Sequence, residues 1–154
     1  LVGSEMCIRD SYNRKSRWEH SYHGGSFSGN PITMAASLAT LELIDMNDGE
    51  LIRKANRLGD MAKRELNEIF QKREVQAQAV GIGSEVDIHF GRKAPIRNVH
   101  DVAATDSKML FKFHLWLITQ GIFHNPGSST VISAAHEAED ISRLVEKTDE
   151  FLKR

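Results

Sequence analysis

The amino-acid sequence predicts an α+β domain of antiparallel strands covered by helices, preceded by a long buried helix. Three observations lead there. Residues 32–46 form a run that is apolar on more than one face, residues 51–69 and 138–152 carry amphipathic helical periods, and two β-patterned segments meet around Gly81-Ile82-Gly83. Strands and helices do not alternate regularly enough for a complete doubly wound domain, so the large sheet of such folds is expected to be missing from this stretch.

Each element has a local cause. Asn30 is a good helix N-cap and Pro31 suits the first helical position, so a helix is expected from Pro31 to about Met46. Its apolar residues include Ile32, Met34, Leu38, Leu41, Leu43 and Ile44, and a helix apolar all round is normally buried on several sides. Asn47-Asp48-Gly49 breaks it. Leu51, Ala55, Leu58, Ala62, Leu66 and Ile69 then recur at helical spacing on a charged segment, which predicts an amphipathic surface helix. Residues 75–80 and the alternating Val86, Ile88 and Phe90 read as two strands. A helix is expected from about Val102 to Thr119 with Gly121 at its C-terminal cap, followed by short strands at Ile122-Phe123 and at residues 130–132. The last helix starts near Ala138, with Ile141, Leu144, Val145, Thr148 and Leu152 on one face and Glu139 and Asp140 in its first turn, as the helix dipole favours.

Composition excludes several function classes. With 154 residues, 27% of them charged, and a net charge of −1, the chain suits one globular domain and has no basic field for nucleic acid. The longest apolar stretch is interrupted by Thr33, Ser37, Thr40, Glu42 and Asp45, so no bilayer span is expected and the protein reads as soluble and cytoplasmic. The single cysteine, Cys7, has no partner for a disulfide or a metal. Residues 1–11 are expected to be a non-native leader, because EMCIRDS resembles the translation of a sequencing-library adapter. Residues 12–30 then form a loop carrying a glycine motif, and residues 31–154 the long helix and the α+β domain.

That motif, His23-Gly24-Gly25-Ser26-Phe27-Ser28-Gly29-Asn30-Pro31, is the stretch that carries chemistry. It sets three glycines and two serine hydroxyls directly before a helix N-terminus. Free backbone N–H groups, a positive helix end and hydroxyl donors are what a phosphate dianion needs, although a plain glycine-rich turn has the same pattern. A nucleotide P-loop is not supported, since no Gly-Lys-Ser/Thr follows.

HGGSFSGNPITMAASLATLELI resembles the stretch H-G-G-T-F-S-G-N-P followed by an apolar helix in class III aminotransferases, the family that includes glutamate-1-semialdehyde aminomutase. The similarity continues through Phe113-His114-Leu115-Trp116-Leu117 to Ala134-Ala135-His136-Glu137-Ala138-Glu139-Asp140-Ile141, which resembles the family's A-H-T-x-E-D-I. The resemblance implies the small C-terminal domain of a fold type I enzyme that uses pyridoxal 5'-phosphate and works as a homodimer on small amino-acid or amino-ketone substrates. It also implies that Gly25 and Ser26 bind the phosphate of the cofactor held by the other subunit, with Ser26 standing where the family usually has Thr. His124-Asn125-Pro126-Gly127 departs from the family's usual lead into Pro-Ser and leaves the substrate open. The family's Schiff-base lysine precedes the glycine motif, so the stretch alone is expected to be inactive. No residue of it is assigned a catalytic role. A stand-alone α+β interaction module, docking through the apolar helix at 32–46, is the competing reading.

Other residues invite milder readings. His20 and His23 lie three apart without a third ligand, so no metal is expected. His136 is expected to order the approach to the last helix. Met34, Met46, Met61 and Met109 sit at core-like positions. Arg92, Lys93 and Arg97 form a basic cluster that reads as a solvated loop or a substrate-carboxylate contact, and Trp18 and Tyr22 as packing or substrate-entrance residues.

Overall fold

A computed structural model describes residues 29–123 and 130–154. Its elements run α1 (Pro31–Asp45), a 3-10 turn (Met46–Asp48), α2 (Glu50–Lys72), β1 (Ala77–Val80), β2 (Glu85–Phe90), α3 (Val99–Ala103), α4 (Ser107–Thr119), β3 (Thr130–Val131) and α5 (Ala138–Leu152). The chain divides into two compact units, residues 1–42 and residues 43–154.

Within the first unit the described part is the start of α1. Asn30 begins it as the sequence predicts, its Oδ1 accepting from the N–H groups of Ile32 at 3.0 Å and Thr33 at 3.2 Å. The expected burial is not met inside this chain: α1 has no buried residue, and Ile32 is 81% exposed. Met34 and Met46, expected in a core, are exposed as well. The hydropathy was read correctly, but among the described residues α1 supplies none to the buried core.

The second unit holds the core. Its sheet has the order β1-β2-β3, with both pairings antiparallel. Ala77 pairs with Phe90 and Ala79 with Ile88, and these side chains share the face that α2, α4 and α5 cover. Gln78, His89, Val80 and Asp87 take the opposite face by the period of two. From α2 the core takes Leu58, Ala62, Leu66 and Phe70, from α4 Phe113 and Leu117, and from α5 Ile141 and Leu144. Phe90 anchors an aromatic cluster, its ring centroid 6.0 Å from Phe70 and 5.5 Å from Phe113 in edge-on arrangements. Burying each such side chain stabilises by about 1.5–3 kcal/mol, so these few residues dominate the unit's stability.

Gly59 explains how closely α2 approaches the β1–β2 turn. A Cβ there would lie 2.3 Å from the Gly83 carbonyl oxygen and 2.7 Å from Ser84 Cα, so only glycine fits. Lys63 Nζ reinforces the same contact by donating to the carbonyls of Gly83 and Glu85. Asn67 performs a different task at the free edge of β1. Its Oδ1 accepts from Ala79 N–H at 2.9 Å and its Nδ2 donates to Ala79 O at 2.8 Å, satisfying backbone groups that would otherwise offer an open edge.

Three sequence expectations need correction. The helix expected from Val102 to Thr119 is two helices, α3 and α4, because Asn98 and Asp106 each act as an N-cap. The Asp106 carboxylate accepts from Met109 N–H at 2.9 Å, and its own N–H is tied to Phe90 O at 2.8 Å, so the chain turns there. Ile122-Phe123 is not a strand, since Ile122 N–H is spent on Leu117 O, closing α4 with Gly121 at φ +75° in a Schellman arrangement. Phe70 rather than Ile69 faces the core at the end of α2, and β1 starts at Ala77 instead of Val75.

Candidate functional site

Gly25 and Ser26 lie outside the described residues, as do Cys7, Trp18, His20, Tyr22, His23 and residues 124–127. What the structure describes is the helix end to which the glycine motif is joined. Gly29 has φ +71° and Asn30 follows as the cap. Pro31 has no N–H, those of Ile32 and Thr33 are taken by Asn30 Oδ1, and that of Met34 donates to Asn30 O at 2.9 Å. The first turn of α1 therefore contributes its dipole but no vacant N–H donor. A phosphate beside it would have to be held by N–H groups and hydroxyls from residues no later than Asn30, which are the groups the Gly24-to-Ser28 segment supplies. That donor set fits a phosphate dianion, and the helix end adds a favourable field.

The basic cluster resolves into two parts. Arg92 forms an ion pair with Asp101, whose other oxygen accepts from Arg97 N–H at 3.0 Å. Gln78 Nε2 donates to the carbonyls of Arg92 at 3.1 Å and Ala94 at 3.0 Å. Arg92 is thus committed to holding its own loop and is a poor choice for a substrate carboxylate. Lys93 and Arg97 remain exposed on that loop. Below it, burial lowers the pKa of His89, and the nearby Asp87 charge partly opposes the shift.

His136 plays the ordering part expected of it. Its Nδ1 accepts from Ser133 N–H at 3.1 Å, and its own N–H donates to Ser133 O at 3.2 Å. The turn so formed delivers the chain to α5, where Asp140 accepts from Glu137 N–H at 2.9 Å. No group of His, Cys, Asp or Glu that could hold a metal occurs among the described residues, and none of their helices is long and apolar enough to cross a membrane.

Sequence reasoning missed Asn67, the Arg73–Asp149 ion pair and a cavity beside β3. The first two are polar residues on helices whose partners are distant in sequence, and no local pattern marks them. Only the 1-4 spacing of Asp140 and Arg143 hinted at the third.

Solved structures that share this fold include aminotransferases and an aminomutase. A β-phenylalanine aminotransferase from Variovorax paradoxus superposes with a TM-score of 0.73 at 28% identity, over 86% of this chain and 30% of that one. A glutamate-1-semialdehyde aminomutase from Pseudomonas aeruginosa PAO1 has the same fold, with a TM-score of 0.74 at 20% identity, over 92% of this chain and 30% of its own. A variant of that enzyme was solved in complex with PMP. Residues 4–135 match the family model of class-III aminotransferases, and the chain belongs to that family. Among curated relatives, glutamate-1-semialdehyde 2,1-aminomutase of Thermus thermophilus is 33% identical over 133 residues, 85% of this chain and 31% of that protein. The enzyme of the same description from Methanobrevibacter smithii is 30% identical over 127 residues, 81% of this chain and 29% of that protein. The chain thus spans about 30% of the length of the relatives it matches.

Proposed function

We propose that the chain is the C-terminal part of a pyridoxal-phosphate-dependent aminotransferase or aminomutase, acting as a homodimer on small amino-acid or amino-ketone substrates. The observation that carries this is the match to glutamate-1-semialdehyde aminomutase at 33% identity over 133 residues, 85% of the chain. The cofactor supplies the electron sink for chemistry at the amino-bearing carbon, and the protein binds and orients it. This chain's share is the phosphate: Gly25 donates its N–H and Ser26 its hydroxyl, across the dimer interface, while the dipole of α1 favours the dianion. The covalent lysine lies outside these residues, so the chain alone performs no turnover.

The experiment replaces the matching 31% of the Thermus thermophilus enzyme with this chain. A hydroxyl hydrogen bond to a charged acceptor is worth about 1.5–3 kcal/mol, so Ser26→Ala should weaken cofactor retention roughly ten- to hundredfold. Ser26→Thr should cost little. Mixing Ser26→Ala subunits with subunits lacking the covalent lysine should restore activity, because one site of the heterodimer then has both groups. A mixture that stays inactive, while Ser26→Ala alone loses cofactor, would place Ser26 in its own subunit's site. Separately, the chain by itself should give no borohydride-reducible pyridoxal phosphate adduct at a single lysine.

A further inference from the structure

The cavity beside β3 has the features of a built site. It encloses about 480 Å³, within the range of small-molecule pockets. Its floor is aliphatic: Val86, Ile88, Ile132, Ile141 and Leu144 all line it and are buried in the core. Three ionisable side chains line the same cavity, His136, Asp140 and Arg143, together with the hydroxyl-bearing Thr130. No lining residue belongs to the glycine motif.

The three ionisable groups are hydrogen-bonded to the backbone and not to one another, with Ser133 Oγ also 3.0 Å from His136 Nδ1. Arg143 donates to Gln120 O at 2.8 Å, Asp140 accepts from Glu137 N–H at 2.9 Å, and His136 Nδ1 accepts from Ser133 N–H at 3.1 Å. Asp140 and Arg143 are one turn apart on α5 and so present a carboxylate and a guanidinium on one face. In the neutral imidazole, engagement of Nδ1 leaves the proton on Nε2, a second donor besides the guanidinium. An apolar floor with one fixed negative group, one fixed positive group and an extra donor is complementary to a particular ligand chemistry. A fatty acid would leave Asp140 opposed to nothing, and an alkylamine would leave Arg143 unused. The geometry points to a binding site for a free amino acid with a branched aliphatic side chain, its carboxylate on Arg143 and His136 and its ammonium on Asp140. This assignment goes beyond the proposed activity and does not depend on it.

The test is an NMR titration of the full chain with L-leucine, without pyridoxal phosphate. L-leucine should shift the amide signals of Ile132, His136 and Arg143 saturably. 4-Methylpentanoate lacks the ammonium and 3-methylbutylamine lacks the carboxylate, so each should bind about tenfold more weakly or worse, as expected for losing a charge-assisted contact. Asp140→Asn keeps an oxygen for Glu137 N–H while removing the charge, and Arg143→Gln removes the cation. Each should weaken L-leucine binding about tenfold with the fold intact, and Arg143→Lys should recover part of the loss. Ser26→Ala should leave it unchanged, which separates failure here from failure of the cofactor reading. The assignment is overturned by the absence of saturable shifts at millimolar L-leucine, by equal binding of either analogue, or by indifference to both charge substitutions.

Discussion

Gly59→Ala tests the tightest contact in the fold. A β-carbon at this position would sit 2.3 Å from Gly83 O and 2.7 Å from Ser84 Cα, both backbone atoms that cannot swing aside. Helix α2 and the β1–β2 turn must then separate, and Lys63, which bridges the same two elements, is pulled from its carbonyl partners. Overpacking of this kind costs typically 1–3 kcal/mol, and contact with backbone places it near the upper end. Alanine returns about 1 kcal/mol through its better helix propensity. The net loss is therefore about 2 kcal/mol, or roughly 5–10 °C in Tm for a chain of this size. Urea denaturation followed by far-UV circular dichroism measures it, with the exposed Glu68→Ala on the same helix as a control expected within about 0.5 kcal/mol of the parent. A Gly59→Ala chain as stable as the parent, or more stable, would refute the close approach, since propensity alone would then decide the outcome.

Asn67→Ala should remove both side-chain partners of Ala79 and cost about 1–3 kcal/mol, with increased association through the opened β1 edge measurable by light scattering. Asp149 is held well below the usual carboxylate range by hydrogen bonds from Arg73 and then Lys153, so its pairing stabilises the fold at neutral pH. Because the folded value is depressed, that contribution is present above the unfolded value near ~4 and fades as pH falls below it. The stability gap between the parent and Asp149→Asn should accordingly narrow in denaturation curves taken below about pH 4. The exposed apolar residues of α1 should drive self-association of the full chain, whereas a chain of residues 43–154 should stay monomeric and folded, as sedimentation would show.

Much of this fold was legible because its signals are local. The Asn30-Pro31 start, the Asn47-Asp48-Gly49 break, the period of α2, the alternation of Val86, Ile88 and Phe90, and the acidic first turn of α5 all act within a few residues. The misreadings came where a longer-range bond competes with a local pattern. Helix α4 could not be separated from α3 by periodicity, since the tie between Asp106 N–H and Phe90 O joins residues sixteen positions apart. Likewise, apolar Ile122-Phe123 looks like a strand, but the capping bond from Ile122 to Leu117 uses the N–H that a ladder would need. The candidate phosphate motif was read from residue types and from its resemblance to the family's glycine stretch, and the described helix start narrows that reading by removing the first-turn N–H groups from the available donors.

The exposure of α1 and the division of chemistry in the proposed enzyme have a common origin. The core of residues 43–154 closes on itself: every residue in its buried cluster lies between Leu58 and Leu144, and α1 supplies none. A unit that completes its own core can be stable without contributing to any other. Helix α1 has the opposite character, with Ile32, Met34, Leu38 and Leu43 all more than half exposed around its circumference. An element apolar on every side is stable only inside a larger body, and here it directly follows the one motif whose composition suits a phosphate. The residues that resemble the family's cofactor contacts thus precede, in sequence, the helix with no buried residue, while residues 43–154 carry none of them. That arrangement is expected of an enzyme whose phosphate site is assembled from more than one body, and it is why the proposed function is tested in a chimera.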